Sequence, residues 1–141
     1  MCGCQGGFSG GGGGGDTANP WHYIGNFDYE FFAADGLESD LILTALPANA
    51  VLEAVRVITT EEFANGGVVD FYNLRLGIFG SLDLYLEYYD AKAVDTLRTA
   101  FVFDEQDVAG WNVRVGVESN SSLDGFTAGA VDIWLKYWVV P

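Results

Sequence analysis

The sequence predicts an all-β fold, an antiparallel sandwich or barrel built from about seven to eight short strands. Three observations carry this expectation. Apolar residues recur with period two in one segment after another, the pattern of strands that cover a core with one face. Turn chemistry separates those segments at short intervals, at Asp35-Gly36, Pro47 and Asn65-Gly66-Gly67. No window holds a sustained 3.6-residue apolar stripe, and only residues 61–64 and 91–99 have room for a helical turn.

The elements follow in order. After Pro20, Phe27, Tyr29 and Phe31 alternate with Asp28 and Glu30, which reads as a strand closed by Asp35-Gly36. Residues 41–46 form a short apolar run stopped by Pro47, and residues 52–60 are rich in Val, Ile and Thr, which favour a pleated backbone. Beyond Asn65-Gly66-Gly67, Tyr72, Leu74, Leu76 and Ile78 share one face, with Asn73, Arg75 and Gly77 opposite. Trp111, Val113, Val115 and Val117 repeat that arrangement against Asn112, Arg114 and Gly116. Between these two, residues 82–88 alternate ambiguously and residues 96–103 read as another strand. The last segment places Val131, Ile133, Leu135, Tyr137 and Val139 on a core face. Its other face carries Trp134 and Trp138 where a solvated strand would carry polar residues, so a second sheet, another subunit or a ligand is expected to cover it.

Length and composition bound the organisation. A chain of 141 residues suits one domain. The first seventeen residues hold nine of the 19 glycines, which supply nothing to pack, so residues 1–19 are expected to be a flexible Gly-rich N-terminal arm or linker before a single domain over residues 20–141. That arm is a disordered leader or orders against a neighbouring subunit. A hydrophobic content of 50% with 15% aromatics supports an independent core. Six Lys and Arg against 20 Asp and Glu give a formal charge of -14, which repels phosphate and argues against nucleic acid or an anionic membrane as partner. No stretch approaches the ~20 apolar residues of a membrane span, and the N-terminus lacks the pattern of a signal peptide, so synthesis in a cytoplasm is expected. Cys2 and Cys4 are expected to be reduced thiols, because one lone histidine leaves a zinc site short of ligands.

Chemistry is sparse. His22 is the only histidine and follows Pro20-Trp21 in a segment that reads as a loop leading into the domain, so a Ser-His-Asp site is not expected. Glu61-Glu62 and the Asp104, Glu105, Asp107 cluster offer carboxylates, but the cluster lacks the spacing of an EF-hand and reads as a solvated turn ahead of a calcium loop. The glycine run is not a phosphate loop, since no Gly-Lys-Ser/Thr follows it. The expectation is a protein that is not an enzyme and needs no cofactor or metal. Arg56, Arg75, Arg114 and Lys136 fall within strands and are expected to pair with acids across strands or between subunits. Trp134, Trp138, Tyr85, Tyr88 and Tyr89 suit core packing, a subunit interface or a flat platform for sugars.

Four segments carry a family resemblance: LPANAVLEAVRVITTEEFANGG, YNLRLGIFG, LRTAFVFDE and the final TAGAVDIWLKYWVVP. A valine-rich strand running into Thr-x-x-Phe and an Ala-Gly-x-Val-Asp final strand resemble small tailed-bacteriophage virion proteins of the jelly-roll or related β-sandwich type, which serve as capsid decoration (cement) proteins or in fibres. The resemblance covers about two thirds of the chain, from Leu46 onward. It implies an antiparallel, jelly-roll-like β-sandwich and a symmetric homo-oligomer, usually a trimer. It also implies a structural role on the outer surface of the capsid, sealing and stabilising the head through contact with the major capsid protein. A fibre or baseplate component, or a carbohydrate-binding receptor-recognition module, is the alternative. The cysteine-containing glycine tail falls outside the family pattern. Candidate interface residues are Trp134, Trp138, Lys136, Arg56, Arg75, Arg114 and, in the arm, Phe8.

Overall fold

The computed structural model describes residues 20–105 and 110–140. Eight strands alternate between two sheets: β1 (Trp21–Asp28), β2 (Glu38–Leu46), β3 (Ala50–Ala64), β4 (Tyr72–Ile78), β5 (Ser81–Asp90), β6 (Leu97–Glu105), β7 (Trp111–Ser119) and β8 (Ala128–Val139). One sheet has the order β1-β8-β3-β6 and the other β2-β7-β4-β5, with every pairing antiparallel. Each connection crosses from one sheet to the other except the β4–β5 hairpin, which is the doubled Greek-key path of a jelly roll. The all-β sandwich expected from the alternation is thus the observed fold.

The two inner faces make the core. Val131, Ile133 and Leu135 of β8 and Val55 and Val57 of β3 are fully buried, facing Leu74 and Leu76 of β4 and Val113, Val115 and Val117 of β7. Burying each such side chain contributes about 1.5–3 kcal/mol. An aromatic plug closes the core at one end. Phe63 stacks on Tyr72 at 3.8 Å, and Phe32 and Phe126 meet the Tyr72 ring edge-on. Gly129 lies against Phe63, where a Cβ would overlap the ring. Burial raises the Tyr72 phenol well above its usual range.

Several local expectations are corrected. The alternation of Phe27, Tyr29 and Phe31 does not continue as a strand, because β1 stops at Asp28 and residues Tyr29–Phe32 form a helical turn, α1. Asp28 caps that turn, its Oδ1 accepting from the backbone N–H groups of Glu30 and Phe31 at 3.1 Å. Residues 61–64 are the end of β3 rather than helix, and residues 91–96 form a loop before β6. Trp21 and His22 begin β1 instead of lying in a loop. Val139 is exposed because β8 runs past the core at its end, whereas Tyr137 is half-buried.

Candidate interaction surface

The outer face of the β1-β8-β3-β6 sheet gathers most of the candidate residues. Antiparallel register aligns them in rows across all four strands. One row runs Tyr23, Trp134, Arg56, Thr99, the next Trp21, Lys136, Ala54, Phe101, and a third Asn26, Asp132, Ile58, Leu97. Trp138 extends this face along β8, and Phe101 is 73% exposed. The tryptophan face of β8 therefore points away from the other sheet, which excludes an inter-sheet role for Trp134 and Trp138.

The polar groups of this face satisfy one another within the chain. Arg56 lies 4.4 Å over the Trp21 ring and its Nε donates to Thr99 Oγ1. Lys136 Nζ pairs with Glu53 at 3.2 Å, and Trp138 Nε1 donates to the other Glu53 oxygen at 2.8 Å. Those two donors, the indole first and then the ammonium, hold the Glu53 carboxyl below its usual range. Tyr23 packs on Trp134 with ring centroids 5.2 Å apart, and its hydroxyl donates to Asp132 Oδ1, which also accepts from Asn26 Nδ2. Burial, then the Asp132 carboxylate, pushes the Tyr23 phenol up. Arg56 and Lys136 balance Glu53 and Asp132, so this aromatic region is neutral in a chain carrying -14.

The opposite sheet presents a different outer face. Glu38, Glu118, Asn73 and Asp90 form one row across it, and Asp40, Gly116 and Arg75 the next. Arg114 pairs with Asp40 at 3.3 Å, a partly exposed bridge worth no more than about 1 kcal/mol. Arg75 lies over Gly116 and against Tyr88, 4.5 Å from its centroid, and its buried Nε has no hydrogen-bond partner among the described residues.

The sequence-derived candidates therefore divide. Trp134, Trp138, Lys136 and Arg56 come together on one face, Arg75 and Arg114 occupy the other, and Phe8 lies outside the described residues. The aromatic platform does not assemble: Tyr85 and Tyr89 are buried in the core and Tyr88 sits on the far sheet. Trp21, Tyr23 and Phe101 were not singled out by sequence reasoning. The alternation of Trp21 with Tyr23 is the signal for them, weakened by Pro20 directly before it, which suggests a loop.

The remaining candidates offer little chemistry. His22 stacks on Tyr137 at 3.9 Å, and burial lowers its affinity for a proton despite a hydrogen bond to the Tyr137 carbonyl. Glu61 accepts from the Gly129 N–H at 3.0 Å. Among the described residues no group of three or more His, Cys, Asp or Glu is placed to hold a metal. Cys2, Cys4, Asp107 and the side chains of Asp104 and Glu105 lie outside the described residues, and with them the acidic cluster expected to be a solvated turn. No helix among the described residues is long and apolar enough to cross a membrane.

No protein-family model matches the chain, and no curated protein sequence matches it. Two solved structures share its fold. A chain of the cyanophage Pam1 capsid asymmetric unit superposes with a TM-score of 0.62 at 16% identity, over 94% of this chain and 91% of that one. A chain of the capsid of Ralstonia phage GP4 superposes with a TM-score of 0.54 at 17% identity, over 82% of this chain and 83% of that one. The β-sandwich of this chain is thus a fold found in phage capsids, in agreement with the resemblance carried by its strand and turn segments.

Proposed function

We propose that the protein is a structural component of a tailed-phage virion, a decoration or cement protein that binds the outside of the head and stabilises it without catalysis. The observation that carries this reading is the neutral aromatic face of the β1-β8-β3-β6 sheet. Tryptophan, tyrosine and arginine are the residues that concentrate in protein interfaces, and their polar atoms here are already held in place. Self-association costs electrostatic work for copies that each carry -14, and a neutral patch is where they approach with least repulsion. A closed ring, a trimer in the form the sequence resemblance implies, covers that face and the outer edge of β1 or β6, which end the sheet among the described residues. The match to chains from two phage capsids over most of their length supports the virion setting. The major capsid protein is the second partner in this reading.

Mass in solution by light scattering, with co-sedimentation on heads of the encoding phage prepared without the chain, tests the proposal. Wild type is expected to be oligomeric and to bind heads, and Trp134→Ala to shift the mass toward the monomer. A monomeric wild type that ignores heads but quenches its tryptophan fluorescence with glycans would support the receptor-recognition alternative instead.

A further inference from the structure

The connection 65–71 between β3 and β4 opens with Asn65-Gly66, a dipeptide that occurs nowhere else in the chain. Asn65 closes a turn on its own backbone, its Oδ1 accepting from the Gly67 N–H at 2.8 Å. That contact folds the side chain forward over the Gly66 peptide. Gly66 is exposed with φ 82, and a Cβ there would meet nothing within 4 Å, so water has access to this peptide. Asn65 Nδ2 makes no hydrogen bond among the described residues.

The other asparagines are placed differently. Asn26 and Asn73 lie in strands, with Nδ2 donating to Thr60 and Asp132 in the first case and to Glu118 in the second. Asn112 lies in β7 ahead of Val113, whose branched side chain crowds the next peptide. Asn120 is pinned to a distant segment: its Oδ1 accepts from the Asp70 and Phe71 N–H groups, and its Nδ2 donates to the Val68 carbonyl. Asn49 precedes Ala50, which is buried. Only Asn65 is followed by glycine, the residue that lets the next backbone nitrogen approach a side chain without obstruction.

We propose that Asn65 is a self-modification site, converted by its own turn to aspartate and isoaspartate. The Gly66 N–H loses its proton to hydroxide, its nitrogen bonds to Asn65 Cγ, and the Cγ–Nδ2 bond breaks, with Nδ2 leaving as ammonia after taking a proton from water. As the bond forms, negative charge collects on Oδ1, where the Gly67 N–H already donates. Holding the two reacting groups in one turn makes the step intramolecular and pre-oriented. The cyclic imide then takes up water. Opening at Cγ gives aspartate, and opening at the backbone carbonyl gives isoaspartate, whose main chain runs through Cβ and is one methylene longer. The connection is tied at both ends, by the Thr127 N–H on the Ala64 carbonyl at 2.9 Å and by Asn120 on Asp70 and Phe71. Isoaspartate therefore lengthens a closed loop, and the Asn120 clasp is the contact that gives.

The test incubates the folded full chain in warm, mildly alkaline buffer beside a synthetic peptide of residues 61–71, and follows the change from amide to acid by peptide mass mapping. Asn65 is expected to convert in the folded chain at a rate within about tenfold of the peptide or faster, while Asn26, Asn73 and Asn120 keep their amides. Both product acids are expected at position 65. Asn65→Gln, whose longer side chain cannot close the same ring, is expected to stay unmodified. A folded-chain rate more than about tenfold below the peptide shows that the turn protects Asn65 and overturns the proposal. Conversion of Asn120 or Asn73 ahead of Asn65 overturns it as well. In the isolated isoaspartate form, hydrogen exchange of the Asp70 and Phe71 amides is expected to quicken, and exchange equal to that of the unmodified chain would overturn the assigned loosening of the clasp.

Discussion

Gly129 shows how one residue sets the geometry of the core. It opens β8 with φ 131, a conformation L side chains rarely adopt, and it leaves the space into which the Phe63 ring packs on Tyr72. Gly129→Ala introduces both backbone strain and a clash with a buried aromatic that has no room to withdraw. The expected cost is about 2 kcal/mol or more in chemical denaturation, with lost near-ultraviolet dichroism from the Phe63–Tyr72 stack. A variant as stable as wild type would show that the plug is looser than described. Gly116 contrasts with it, since a Cβ there meets the Arg75 side chain, which can move aside.

At the scale of elements, β1 pairs its backbone with β8 alone among the described residues, and His22 is its inward contact near the start. Burial keeps the folded-state imidazole neutral to lower pH than the unfolded value of about 6.5. The unfolded chain therefore takes up a proton first as pH falls. The stability contributed by neutral His22 is complete above pH ~6.5 and is lost progressively as pH drops toward the folded value. Wild type is expected to lose more melting temperature than His22→Phe between pH 7.5 and 5.5, and parallel profiles would contradict this. The end of β1 is governed by a different local rule. Alternation alone would carry the strand through Phe31, but the Asp28 carboxylate accepts two backbone N–H groups and converts the segment into a helical turn that sends Phe32 into the core. A side chain that competes for the backbone is a weak signal in a period-two pattern, so the pattern alone predicts too long a strand.

For the whole molecule, charge placement is the dominant feature. All six cations have partners within the chain: Arg114 and Lys136 pair with acids, Arg56, Arg75 and Arg98 lie over aromatic rings, and Lys92 donates to a carbonyl. The excess carboxylates thus dominate the field around the protein, and the sheet face bearing Trp134 is a neutral window in it. Lys136→Glu places a second carboxylate beside Glu53 and makes that window acidic. Self-association is expected to weaken at low salt and to recover partly as salt screens the repulsion, measured as mass against ionic strength. A mass unaffected at every salt concentration would remove this face from the interface.

Much of this protein was legible from local pattern. Alternation located nearly every strand, assigned Val131, Ile133 and Leu135 to the core, and set Leu74 with Leu76 and Val113 with Val115 and Val117 on single faces that are buried, because a two-residue period directly encodes which residues share a side of a strand. It also set Trp134 and Lys136 on the face opposite that core. What no local pattern encodes is which strands become neighbours. Trp21 meets Lys136 and Arg56 meets Trp134 through pairings between segments far apart in the chain, decided by how two sheets bury their inner faces together. Only that tertiary choice turned the tryptophan side of β8 outward and separated Arg75 and Arg114 from Arg56 and Lys136.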